Sequence, residues 1–147
     1  MTFAAGMEAR AEAVRYCTVA QARPSPFMPP ATFLCASARA INEAFWNLRE
    51  GDWAWQALRG MDREVFYFLA EEARLAAKAW RAAHGGQTIP QGDLARVISA
   101  AFWLLAVDPD PRPTWESQHE NHRLTWTDAA GRVLAVAADW RARRAAA

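Results

Sequence analysis

Apolar residues recur at helical spacing along most of the chain. Residues 2–22 place Phe3, Met7, Ala11, Val14 and Thr18 on one stripe, with Thr2 positioned as a cap. Residues 31–50 repeat Leu34, Ala38, Ile41, Phe45 and Leu48 at 4-3-4-3, which is one face of a second helix that Gly51 would end. Asp52 to Gly60 reads as a short aromatic turn of helix. Residues 61–83 carry Phe66, Leu69, Ala73, Ala76, Trp80 and Ala83 inward, and Gly85-Gly86 stops them. The opposite face, Tyr67, Glu71, Arg74, Lys78 and Arg81, is expected to meet water. Asp93 is the expected cap of a helix over 93–107. That stretch is apolar on every side from Val97 onward and is therefore expected to be the buried central helix.

Two proline runs interrupt this pattern. Pro24, Pro26, Pro29 and Pro30 make 23–30 a stiff connector, and Pro109, Pro111 and Pro113 do the same for 108–113. Thr114 is placed to cap a short helix through Arg123. Beyond it, two patterns compete. Leu124 to Thr127 and Arg132 to Val136, separated by Asp128 to Gly131, alternate like a β-hairpin over 123–136. Ala130, Val133, Ala137, Trp140 and Arg144 follow helical spacing in an alanine-rich stretch, and helix is the preferred reading. The sequence thus predicts one all-α domain over 1–147, a bundle of five to seven helices. Ala54 to Gly60 echoes Ala79 to Gly85, but two similar helix ends do not make a repeat array.

Composition supports the helical reading. The 147 residues include 34 alanines, and sixteen of the 17 basic residues are arginine, Lys78 being the exception. Both types favour helix. At this length a chain buries about 70% of its unfolded surface, so no metal or disulfide staple is required. With 52% hydrophobic residues and a net charge of +1, the chain is neither disordered nor a polyelectrolyte. Cys17 and Cys35 are expected to be free thiols in a reducing compartment. Glu8, Arg10, Glu12 and Arg15 stand where a secretory signal would be apolar, and the longest apolar run, Val97 to Val107, is too short to span a bilayer. The expected location is cytoplasmic.

Candidate chemistry is sparse. Glu116 and His119 form a Glu-x-x-His step, and His119 and His122 are also three apart, with Glu120 between them. That is helix-borne metal-ligand spacing, but a di-iron site requires a second such motif and further carboxylates. No metal and no cofactor are expected, and a helical metalloprotein around His119 and His122 is an alternative. Gln91 to Ile98 resembles the first helix of a helix-turn-helix, yet core residues Ala100 to Leu105 follow where a polar recognition helix should stand. Arg141, Arg143 and Arg144 give residues 111–147 a local charge of +2, and contact with nucleic acid through them is a second alternative. There is no nucleophile elbow, phosphate loop or dinucleotide fingerprint, and an enzyme is not expected.

The segment 45–59 stands out. Phe45 and Leu48 point inward, Trp46 lies about 100° away from Phe45 around the helix, and Trp53 and Trp55 follow beyond Gly51. Three tryptophans in this arrangement do not readily share one core. Trp46, Trp53 and Trp55 with Arg49 and Arg59 have the composition of an interface hot spot. The expected function is a small non-enzymatic protein–protein interaction module, an accessory subunit, adaptor or inhibitor docking on a larger protein. A phage or mobile-element origin suits such a chain, although no residue demonstrates it.

Overall fold

The computed structural model describes residues 32–47, 60–105 and 113–147. The expected helix at 2–22, the connector at 23–30, the aromatic turn at 52–60 up to its last residue, and the connector at 108–113 except Pro113 lie outside the described residues. So do Cys17, Leu48, Arg49, Trp53, Trp55 and Arg59. The described residues form four helices and no strand: α1 (Phe33–Phe45), α2 (Gly60–Ala83), α3 (Gln91–Leu105) and α4 (Glu120–Ala146). The main contacts run α1 to α2, α2 to α3, α3 to α4 and α4 to α1, so each helix occupies a corner of a four-helix bundle.

Local chemistry sets the ends. Thr32 is extended (φ −133°, ψ 155°) and its side chain accepts from the Cys35 N–H at 3.2 Å, which starts α1. The stop comes at Trp46 rather than at the expected Gly51. Asn47 takes φ 53° and donates its N–H to the Ala44 carbonyl at 3.1 Å. Asparagine tolerates the left-handed conformation, so a glycine was not needed. Gly85-Gly86 do end α2 as the sequence predicts. Both have positive φ, and the Gly86 N–H bonds back to the Arg81 carbonyl at 2.9 Å, closing a Schellman turn. Next, α3 begins two residues before the expected Asp93 cap, directly after Pro90, and Asp93 sits in its first turn.

The 123–136 hairpin does not form. All of it lies inside α4, a helix of 27 residues. The β-branched residues that read as strand are accommodated in the helix by bonding backward. Thr125 Oγ1 donates to the Asn121 carbonyl at 3.0 Å and Thr127 Oγ1 to the Arg123 carbonyl at 2.8 Å. Gly131, which read as a turn residue, is instead a close-approach point. A Cβ there would lie 2.7 Å from Gln91 Nε2, which crosses α4 to donate to the Thr127 carbonyl at 2.8 Å. The short helix expected over 114–123 is also replaced. Thr114 and Ser117 close a turn on each other through their backbone N–H and hydroxyl groups, and α4 starts afresh at Glu120.

Burial is distributed differently from the sequence expectation. The enclosed helix is α1, where nine of its 13 residues are buried. In α3, Leu94, Ala95, Ile98, Ser99 and Ala101 are buried, but Phe102, Trp103, Leu104 and Leu105 are only half-buried. The apolar run of α3 lies at one end of the bundle, so its all-round apolarity reflects end contacts and not a central position. Small residues explain α1, because Cys35, Ser37, Ala38, Ala40 and Ala44 let neighbours approach closely. Tyr67, expected in water, is 4% exposed and belongs to the core.

Phe45 sets the architecture. It meets Phe66 of α2 at 5.8 Å, Phe102 of α3 at 5.6 Å and Trp126 of α4 at 5.9 Å between ring centroids. Phe102 and Trp126 also touch each other at 4.9 Å. Each helix thus contributes one ring to a single aromatic junction. Gln118 anchors Trp126, accepting from its indole N–H at 3.2 Å while its own amide donates to Ser99 Oγ at 2.7 Å. On the α1–α4 seam, the largely buried Glu43 lies between Arg39 at 3.5 Å and Arg132 at 3.9 Å. Farther along that seam, Phe33 meets Trp140 at 6.3 Å. The contacts 45 with 126 and 33 with 140 make α1 and α4 antiparallel.

Three predictions follow from this packing. Ile98→Ala is expected to lower unfolding free energy by about 2–5 kcal/mol, and Leu105→Ala by roughly half as much, in chemical denaturation. Gln118→Leu leaves the Ser99 hydroxyl and the Trp126 indole N–H without their partner, and is expected to cost about 1–3 kcal/mol despite adding apolar volume. Glu72 has its pKa raised, first by burial and second by the adjacent Glu71. A carboxyl raised in the folded state opposes folding when ionised. Glu72→Gln is therefore expected to raise the Tm at neutral pH, the gain fading as pH falls to about 4, where Glu72 protonates in both states.

Candidate functional site

Trp46 is the one expected interface residue that lies among the described residues. Its placement follows from where α1 stops. The helix ends under its own C-cap (φ −93°, ψ 4°), with the Trp46 N–H bonded to the Asn42 carbonyl at 3.1 Å. The backbone of the indole is therefore fixed. The ring stands edge-on to Phe45 at 4.9 Å with an interplanar angle of 85°, and 57% of the residue remains exposed. An exposed tryptophan thus rests directly on the central ring of the aromatic junction.

Around it the same end of the bundle is apolar. Phe45 and Phe102 are only half-buried, and Trp103 packs edge-on to Phe102 at 5.4 Å. Leu124, two residues before Trp126 at the start of α4, is 59% exposed. Sequence reasoning missed Leu124, because the stripe that assigns α4 to helix begins at Ala130. Its signal was an apolar residue in the strand-like alternation of Leu124 to Thr127.

Of the histidine candidates, His119 takes up a structural role. His119 is not on a helix with Glu116. Its φ and ψ of −59° and 145° make it the N-cap of α4, and its Nδ1 accepts from the Asn121 N–H at 3.1 Å. The His119 and His122 rings stand 6.4 Å apart between centroids. Glu116 pairs with Arg96 of α3 at 3.0 Å, and the Arg96 guanidinium lies 5.5 Å over the Trp115 ring. The Glu116 carboxyl is lowered below its ordinary value, first by its own backbone N–H and then by Arg96. Among the described residues, no group of three or more His, Cys, Asp or Glu is placed to hold a metal ion. Cys35 is buried and forms no disulfide.

The arginines of the C-terminal reading lie in the last turns of α4. Arg143 pairs with Asp139 at 3.0 Å, and Arg141 and Arg144 are exposed. The helix-turn-helix resemblance at 91–98 ends in the aromatic junction. No described helix is long and apolar enough to cross a membrane.

Comparison with protein-family models, with curated proteins and with solved structures finds no match to this chain.

Proposed function

We propose that this chain is a non-enzymatic interaction module that docks on a larger protein through the junction end of its bundle. The observation that supports the reading is Trp46, a large aromatic side chain held by a finished helix end and left more than half exposed. Little conformational freedom remains to be lost when such a ring is buried by a partner. Tryptophans and arginines anchor interfaces out of proportion to their number. The sequence supplies Arg49, Trp53, Trp55 and Arg59 within thirteen residues of Trp46. Among the described residues, His119 caps a helix, Glu116 pairs with Arg96, and Cys35 is buried.

Trp46→Ala tests the reading. Its folding contribution is expected to be at most about 1.5 kcal/mol, the worth of an edge-to-face ring pair. Proteins retained by the immobilised wild-type chain from native lysate are expected to bind the variant about tenfold more weakly or worse. A stability loss of about 3–5 kcal/mol would mark Trp46 as core. Unchanged capture of every partner would remove it from the interface.

A further inference from the structure

The end of the bundle opposite the aromatic junction has a different chemistry. Both α2 and α4 lead away from the junction, from Phe66 and Trp126 respectively, along the two sides of α1. Arg81 lies fifteen residues beyond Phe66, and Arg141 fifteen residues beyond Trp126. At 1.5 Å per residue each is about 22 Å from the junction. By contrast, α3 begins at Gln91, whose side chain reaches Thr127 and Gly131, and runs back to Phe102 at the junction.

Those turns carry concentrated positive charge. Lys78 and Arg81 on α2, with Arg141, Arg143 and Arg144 on α4, are all exposed. Asp139 is the one acidic side chain in residues 75–84 and 135–147, and it pairs with Arg143. Five basic side chains against one acidic side chain give these two helix ends a net side-chain charge of +4, in a chain whose side-chain total is +1. Among the described residues, no carboxylate lies within ion-pair distance of Lys78, Arg81, Arg141 or Arg144. Arginine in a last turn also complements the helix dipole. That accounts for a cation on each helix, but not for five with one acid between them.

We infer that this end is a docking surface for the phosphate backbone of duplex nucleic acid. The exposed residues around the cations are mostly alanines, Ala79, Ala82 and Ala83 on α2 and Ala138 and Ala142 on α4, with Leu75 one turn before Lys78 as the larger exposed apolar side chain. Phosphate contact needs only positive charge and directed N–H donors, which four arginines supply. Two helices of the bundle carry these donors at about the same distance from the junction, so they are offered to more than one phosphate. The inference extends the sequence-based reading of Arg141, Arg143 and Arg144 by adding Lys78 and Arg81. It is independent of the role proposed for Trp46.

The test is anisotropy of a fluorescent DNA duplex of about 20 base pairs, titrated with the full chain between about 50 and 200 mM salt. The wild type is expected to bind saturably, with log affinity falling linearly against log salt at a slope of about −4.5, near −0.9 for each of the five cations. K78Q/R81Q is expected to reduce the slope by about 2, and R141Q/R143Q/R144Q by about 3. Each should weaken binding at least about tenfold at 100 mM salt, with unchanged thermal unfolding, since all five side chains are exposed. Trp46→Ala is expected to leave both slope and affinity unchanged, which separates this surface from the protein-docking end. Absence of saturable binding at the lowest salt overturns the inference, as do slopes unaltered in both multiple variants. Equal affinity for poly-glutamate of matched charge also overturns it and assigns the surface to an acidic protein.

Discussion

Four helices converge on the ring of Phe45. Such a junction constrains more than the positions of its members. Phe45 is the last residue of α1, Phe66 lies in the second turn of α2, Phe102 in the last turn of α3 and Trp126 in the second turn of α4. Bringing these four rings within 6 Å sets where each helix starts or stops relative to the others. The edge-on and tilted geometries are those that place a positive ring edge near a negative face. Trp126 could not be buried without an acceptor for its N–H. Gln118 provides it, and Ser99 in turn occupies the Gln118 amide. The residues preceding α4 are therefore tied to α3 by a buried polar link, which explains why a chain segment outside any helix holds its place.

Packing along the rest of α1 follows a different rule. Beyond the junction its buried residues are mostly alanine, serine and cysteine, with Leu34 and Ile41 as the larger members. Small side chains let α2 and α4 approach the α1 backbone closely. The approach encloses polar groups as well. Ser37 Oγ and both amide atoms of Asn42 are buried without a hydrogen-bond partner. Each such group costs free energy relative to an apolar replacement of similar size, so α1 is enclosed at some expense in stability. Glu43 escapes that cost, because Arg39 and Arg132 flank its carboxylate.

Much of the helical layout was legible from spacing alone, and the exceptions have identifiable causes. The apolar stripes predict helices over 31–50, 61–83 and 93–107, and the structure has them over 33–45, 60–83 and 91–105, the first ending five residues early at its Asn47 turn. Periodicity measures apolar content, not enclosure. It therefore ranked the Val97–Leu105 run as central and overlooked α1, whose enclosed residues are small and partly polar. Alternation around Leu124 to Thr127 imitated a strand because threonine hydroxyls can turn back to carbonyls one helical turn earlier, a bond invisible in a linear pattern. Gly131 imitated a turn because its use depends on Gln91, forty residues away. Of the candidate sites, the exposure of Trp46 was readable from its angle relative to Phe45. The structural employment of His119 was not, since a Glu-x-x-His step says nothing about whether a helix break falls inside it.

The antiparallel pairing of α1 with α4 has a consequence for how the chain is made. On the ribosome α1 is complete about 75 residues before the first residue of α4 is added. At roughly 5–20 residues per second, that is an interval of several seconds. Throughout it, Phe45 lacks Trp126, Phe33 lacks Trp140, and Glu43 lacks Arg132. A nascent α1 built from Leu, Ile and Phe on every buried side would present a sticky surface for that whole time. The alanines, Ser37 and Asn42 make the waiting face far less adhesive, so the composition that weakens the finished bundle limits misassociation while the last helix is still being synthesised.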